Sequence, residues 1–385
     1  MKTVIFVIPD LRCGGVEKSL ISLLSCIERD KYNIDLLLFR KNGVLLPLVP
    51  EWVKIITVGS NISILMHIKE GISSLVLTLG LKKLFKYLRK IYYNFEKEKP
   101  LFSKDRRNNL LSYDIAIAYA DGIATSYTAQ KINAGKKIAF VHTDFLKAGY
   151  NISSEAKNYA RFDRIFCVSA EATEQFSRAF PEFANKTSTF YNLISSTEIN
   201  TMAKKSVGFT DRFKGIRILT VGRITYEKGY DLTVPVLSRL LKEGYNVKWY
   251  VIGDGNMRRN IKKMIRRYNL KDNYILLGPK DNPYPYIAEC GIYVQPSRFE
   301  GYSLSVAEAR ALNRPIVATE FTGAREQLIH GKTGIITDIS EDGIYTGIKQ
   351  LLDDIDLRKR LEYNLSLQDV DTTAEIYKLY EVIGD

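Results

Sequence analysis

The stretch Ile216–Gly255, IRILTVGRITYEKGYDLTVPVLSRLLKEGYNVKWYVIGDG, decides the fold. An apolar run, IRILTVG, ends in a polar, glycine-bearing turn, and DLTVPVLSRLLKEG then places its apolar residues at helical spacing before a second buried run, VKWYVIG. Strand, helix, strand in that order is a crossover unit, and a crossover joins parallel strands, because a hairpin has no room for a helix. Towards the C-terminus the same alternation continues through NYILLG, GIYVQPS, RPIVATE and TGIITD, with GIYTGIKQLLDDI among the helical spans. Towards the N-terminus lie TVIFVIP, IDLLLF, KIITVG, DIAIAYA, KKIAFVH and RIFCVSA, with GGVEKSLISLLSCI as the first helix.

A polar, turn-like segment around Tyr191–Lys214 interrupts the alternation. The 385 residues therefore divide into two α/β domains of about 150–200 residues each, with mostly parallel sheets. The expected boundaries are 1–195, 196–365 and a terminal helix in 366–385, TTAEIYKLYEVI, able to pack on either domain, including by a return to the first. Ligands of such sheets bind beyond the carboxyl ends of the strands, so a cleft between two such domains is the expected site.

Apolar residues make up 45% and charged residues 26%, a globular composition that argues against long disorder. The net charge of +13 favours an anionic partner: nucleic acid, a membrane surface or a phosphorylated substrate. Cys13, Cys26, Cys167 and Cys290 are scattered and His67, His142 and His330 isolated, so neither a disulfide framework nor a zinc site is expected, consistent with the cytoplasm. The start, MKTVIFVIPDLRC, reads as a buried strand and not a leader, since Asp10 and Arg12 closely follow the short run Val4–Ile8. No apolar run approaches the roughly 18 residues that span a bilayer.

Gly14 and Gly15 stand where strand passes to helix, a place for tight geometry or for close approach of backbone to an anion. A dinucleotide fold is disfavoured: CGGVEK lacks the required glycine spacing, and Asp35 stands at the wrong end of its strand to meet a ribose. In VGRITYEKGYD, Arg223 and Lys228 follow a strand, with Gly222 and Gly229 loosening the chain around them. Such a pair suits a departing diphosphate, and equally a solvated surface.

In SRFEGYSLSVAEARA, Ser297–Ala311, Glu300 falls in the loop and Glu308 in the helix that follows. Eight helical residues turn about 80° beyond two full turns, which keeps both carboxylates near one face. Ser305 and Glu308 also fit a capping box, in which Glu308 serves only a backbone amide; a cap at Ser303 would release it. Gly301 permits close approach, and the amides of Tyr302, Ser303 and Leu304 would face an anion at the helix start.

Glu300 to Glu308 resembles the paired-glutamate motif of retaining glycosyltransferases with the GT-B fold, family 4 of that class. The resemblance extends in order over nearly the whole chain: Gly14-Gly15, FVHTDF at His142, FCVSA at Ser169, YNLI at Asn192, VGRITYEKGYD, VIGDG and GAREQLIHGKTG. It implies two Rossmann-like domains, the second holding a nucleotide-sugar, UDP-linked by preference, and the first a glycan or lipid-linked glycan acceptor. By position, Glu308 would hold the ribose, Arg223 and Lys228 the diphosphate and Glu300 the transferred hexose or N-acetylhexosamine. His142 would stand near that sugar, and Gly15 would bring backbone to the phosphates. No metal and no cofactor is implied. Ser303 departs from the glycine common at that position.

In LKKLFKYLRKIYYNF, Leu81–Phe95, apolar residues at helical spacing are bordered by lysine and arginine. That pattern fits an ordinary packed helix or one lying on an anionic membrane, which would make the protein peripheral at the cytoplasmic face. Two other functions compete: a nucleotide-sugar epimerase of GT-B-like fold, and a nucleic-acid-binding protein, for which no binding motif is present.

Overall fold

The computed structural model describes residues 1–12, 14–58 and 112–384. Leu81–Phe95 lies outside the described residues, and with it the membrane-surface expectation. Among the described residues, thirteen strands form two sheets of seven and six strands, and every pairing described is parallel.

The first sheet runs β3-β2-β1-β4-β5-β6-β7, made of Lys2–Ile8 (β1), Tyr32–Leu38 (β2), Lys54–Thr57 (β3), Ser112–Ala118 (β4), Asn133–Val141 (β5), Arg164–Cys167 (β6) and Thr187–Thr189 (β7). Val4–Ile8, Leu36–Leu38 and Ile115–Ala118 are buried without interruption, as strands covered on both faces must be. Asp35 accepts a hydrogen bond from the Tyr113 hydroxyl at 2.6 Å, which gives this carboxylate a structural partner.

The second sheet runs β10-β9-β8-β11-β12-β13, made of Ile216–Val221 (β8), Val247–Ile252 (β9), Tyr274–Gly278 (β10), Ile292–Gln295 (β11), Ile316–Thr319 (β12) and Ile335–Thr337 (β13). One core gathers Trp249, Val251 and Ile292 with Val234 and Leu237 from the helix Tyr230–Lys242 and Ile344 and Ile348 from the helix Glu341–Asp353. Another gathers Tyr250, Tyr293 and Ala318 with Val306 and Ala309 from the helix Leu304–Ala311. The order reverses between β8 and β11, the switch point where a doubly wound sheet opens beyond its strand ends.

Contacts divide the chain into two compact units: Met1–Arg12, Glu28–Phe140 and Ser153–Arg164 form one, and Cys13–Ile27, Val141–Ile152 and Ile165–Asp385 the other. The helix Gly15–Cys26 thus counts with the second unit. One reading needs correction: the polar stretch 191–214 contains a helix, Ser196–Ala203, capped by Ser195, whose hydroxyl accepts from the Glu198 amide at 3.2 Å. Within the second unit the C-terminal segment meets residues 191–196: Thr372 and Ile194 exchange hydrogen bonds, and Glu375 accepts from the Tyr191 amide at 2.8 Å. No described helix is long and apolar enough to cross a membrane.

Candidate active site

At the end of β11 the chain turns polar while still buried. Gln295 and Ser297 have no exposed surface, and both aim at Glu300. Three donors converge on one carboxylate oxygen, Oε1: Ser297 Oγ at 2.6 Å, Gln295 Nε2 at 3.2 Å and Lys228 Nζ at 2.5 Å. A carboxylate whose side chain is only 10% exposed needs such partners, because an uncompensated charge so far withdrawn from water is destabilising. Gln295 is held in turn, its Oε1 accepting from the hydroxyls of Tyr293 and Ser305 at 3.0 Å each.

Lys228 reaches Glu300 because two loops are bolted together. Arg298 makes a two-pronged ion pair with Asp231 at 2.8 and 2.7 Å and donates to the Tyr226 carbonyl, while its amide donates to the Glu227 carbonyl. Gly229 sits left-handed at φ +67°, where a Cβ would stand 2.0 Å from the Pro296 carbonyl oxygen, so only glycine fits. Gly222 passes close by, its carbonyl accepting from the Tyr230 hydroxyl at 2.9 Å. Arg223, by contrast, is half-exposed with the Glu227 carboxylate 3.8 Å away, apart from the Lys228–Glu300 pair.

Ser303 is the N-cap position of the helix Leu304–Ala311, and its side chain makes no capping bond; its hydroxyl lies 3.3 Å from that of Ser305. The capping-box alternative therefore falls away, since Ser305 lies inside the helix and Glu308 bonds elsewhere. Glu308 is buried and accepts from Lys18 Nζ at 3.0 Å and from the Tyr284 hydroxyl at 3.2 Å, both on Oε1. Burial raises the Tyr284 phenol, with the neighbouring Glu308 charge adding to it, so the hydroxyl remains a donor. Among the described residues no acceptor takes the amides of Tyr302, Ser303 or Leu304. The Tyr302 ring packs at 5.9 Å against Tyr191.

Gly301 and His142 meet through backbone: a Cβ on Gly301 would stand 2.4 Å from the His142 carbonyl oxygen. The Ser169 hydroxyl donates to the Gly301 carbonyl at 2.8 Å while accepting from the Ala172 amide at the start of the helix Ala170–Ala179. The loop after His142 is fixed by Asp144, which accepts from Thr322 Oγ1 at 2.6 Å and the Lys147 amide at 3.0 Å. Gly14 and Gly15 begin the helix Gly15–Cys26; Gly14 is extended, and a Cβ on Gly15 would make an ordinary 3.7 Å contact with Leu304 Cδ1. Their part here is proximity and not backbone strain.

Loss of hydration pushes the His142 imidazole down to about 3, so the ring is neutral near pH 7. Below its ordinary value of about 6.5, the unfolded chain takes up a proton that the folded one refuses, and stability falls as pH drops from there towards 3. His142→Gln is therefore expected to lose less of its melting temperature than the parent between pH 7 and pH 5. Equal losses in two melting curves would refute this.

Sequence reasoning missed Gln295, Ser297, Arg298, Tyr284 and Lys18. A glutamine closing an otherwise apolar strand was the available signal for Gln295; Lys18 meets a partner 290 residues away and offered none.

Residues 209–367 match the family model of glycosyl transferases group 1. The N-acetylgalactosamine-N,N'-diacetylbacillosaminyl-diphospho-undecaprenol 4-alpha-N-acetylgalactosaminyltransferase of Campylobacter jejuni is 30% identical over 203 residues, covering 52% of this chain and 54% of that protein. The capsular polysaccharide biosynthesis glycosyltransferase CapM of Staphylococcus aureus is 29% identical over 146 residues, 37% of this chain and 38% of that one. The chain spans about half the length of the curated relatives it matches first. Among solved structures, Anabaena Alr3699/HepE in complex with UDP-glucose superposes with a TM-score of 0.72 at 16% identity, covering 100% of this chain and 99% of the other. WaaG, a glycosyltransferase involved in lipopolysaccharide biosynthesis, gives 0.62 at 16% identity, with 99% of each chain covered. The chain thus shares the α/β GT-B fold of these solved structures, and its residues 209–367 carry the pattern of glycosyl transferases group 1.

Proposed function

We propose that the protein is a retaining glycosyltransferase that moves a hexose or N-acetylhexosamine from a UDP-sugar to a glycan or lipid-linked glycan in cell-surface polysaccharide assembly. The observation that carries this is the pair of carboxylates bracketing one strand-to-helix junction, the partly buried Glu300 held by Lys228 and the buried Glu308 by Lys18 and Tyr284. Ligand hydroxyls can take over from such lysines, and the released cations then meet the ligand's phosphates.

In this reading Glu308 binds the ribose, Glu300 orients the transferred sugar, and His142 stands near it. Arg223, Lys228 and the amides of Tyr302, Ser303 and Leu304 stabilise the diphosphate, which gains charge as it leaves. The acceptor hydroxyl attacks the anomeric carbon on the face the diphosphate departs from. The new carbon–oxygen bond forms as the old one breaks, and the hydroxyl proton passes to the departing phosphate oxygen. The reading assigns the charge stabilisation to these side chains and amides, with no metal or cofactor. The diphospho-undecaprenol in the Campylobacter relative's name and the UDP-glucose bound to HepE support the donor and acceptor classes proposed; a position at the cytoplasmic face of a membrane is part of the same proposal. The likenesses favour neither an epimerase nor a nucleic-acid-binding protein.

A thermal-shift panel of UDP, GDP and their sugar conjugates tests this. At a hundred times Kd a ligand adds about 2.7 kcal/mol of stability, and a tenfold weaker variant keeps about half of that. One nucleotide series is expected to stabilise the parent, with Glu308→Gln losing about half the shift or more. No shift with any nucleotide would overturn the proposal.

A further inference from the structure

We infer that Lys18 is a further donor-binding residue, which holds Glu308 in the free protein and turns to the donor's diphosphate when the ribose takes its place. The inference rests on the reading of Glu308 as the ribose acceptor. Its physical basis is that one carboxylate oxygen is claimed twice over: Lys18 Nζ at 3.0 Å and the Tyr284 hydroxyl at 3.2 Å both use Glu308 Oε1, and the ammonium also stands 5.5 Å from the Tyr284 ring centroid. A ribose that needs this oxygen must displace one of them. Tyr284 is fixed on the helix Tyr284–Glu289 and keeps its proton, whereas the Lys18 side chain is flexible and 21% exposed against 6% for Glu308. Lysine is the one that moves.

Its destination follows from where its backbone stands. The Lys18 amide donates to the Gly14 carbonyl at 3.0 Å, so Lys18 lies in the first turn of the helix Gly15–Cys26. The start of that helix abuts Leu304, the first residue of the other helix, through Gly15. The start of the helix Leu304–Ala311, whose amides no described acceptor takes, thus favours an anion beside the displaced ammonium, whereas the start at Gly15 already carries the Glu17 carboxylate next to Gly14. The protein's own anion holds the cation until a ligand anion replaces it.

The arrangement discriminates between ligands. A nucleoside must break the Lys18–Glu308 pair and offers the ammonium no anion in exchange, whereas a nucleoside diphosphate regains the cation on its phosphates. Removing Lys18 should therefore weaken diphosphate binding and leave nucleoside binding unchanged or tighter, which a merely structural lysine would not do.

Calorimetry with UDP and uridine, and in parallel GDP and guanosine, on the parent, Lys18→Met and Lys18→Arg tests this. For the base series that the parent binds, Lys18→Met is expected to raise Kd for the diphosphate by about tenfold or more, the value of one charge-assisted bond. The nucleoside's Kd should stay level or fall, which also shows that the variant is folded, and Lys18→Arg should recover part of the diphosphate affinity. Parallel losses for nucleoside and diphosphate would overturn the inference, assigning Lys18 to propping Glu308 alone, and so would unchanged affinities for both. A parent that binds neither UDP nor GDP would overturn the underlying transferase reading as well, a distinguishable result.

Discussion

Lys228→Met is expected to lower kcat by about 100- to 1,000-fold, the loss typical of removing one preorganised donor to a charge that develops in the transition state. Methionine keeps most of the buried stem, so the change removes the charge and little packing. In the free protein this ammonium lies 2.5 Å from Glu300 with its side chain 16% exposed, poised beside the carboxylate assigned to the sugar. In the proposed reaction the diphosphate gains charge only as the glycosidic bond breaks, so KM should move far less than kcat. Lys262→Met supplies the bystander control, since that lysine is exposed on the helix Arg258–Arg267. Initial-rate assays of nucleotide release that show the same kcat for Lys228→Met and the parent would remove Lys228 from the chemistry.

Gly229→Ala is expected to cost about 3–5 kcal/mol of stability, through two separable causes. One is the left-handed backbone at φ +67°, and the other a Cβ 2.0 Å from the Pro296 carbonyl oxygen. Gly244→Ala separates them, because Gly244 is also left-handed, at φ +88°, with nothing within 4 Å of its would-be Cβ. That variant should lose only about 1–2 kcal/mol. Denaturant titrations that return equal losses for the two alanines would show that the Pro296 approach is relieved by movement of the loop. Activity should fall with Gly229→Ala beyond the loss of folded protein, since the loop between Gly222 and Gly229 carries Lys228.

The strands were legible wherever burial on both sheet faces produced an unbroken apolar run, as in Val4–Ile8 or Ile292–Val294. β7 was not, because Thr187–Thr189 is a partly buried three-residue edge strand with no such run. The helix Ser196–Ala203 escaped for a similar reason: only Ile199 is buried, although Ser195 and Glu198 spelled out its cap. At the site, the residues that touch a ligand in the proposed reading were legible as motifs. The pairings that set their positions were not, because Arg298 with Asp231, and Ser169 with Gly301, fall in separate motifs and meet across long sequence separations that no local spacing records. Arg223 was read as one of a pair with Lys228, yet pairing depends on side-chain direction, which spacing along a loop does not determine.

Glu326 has a consequence of its own. Its carboxylate accepts from the amides of Ala170 and Glu171 at 2.9 and 2.6 Å and from the Tyr191 hydroxyl at 2.9 Å, so it occupies the start of the helix that Ser169 ties to Gly301. A phosphate arriving here meets a helix start whose attraction is already quenched by an internal anion. The decoy is closed, and on the proposed reading a mobile diphosphate has one fewer wrong place to rest.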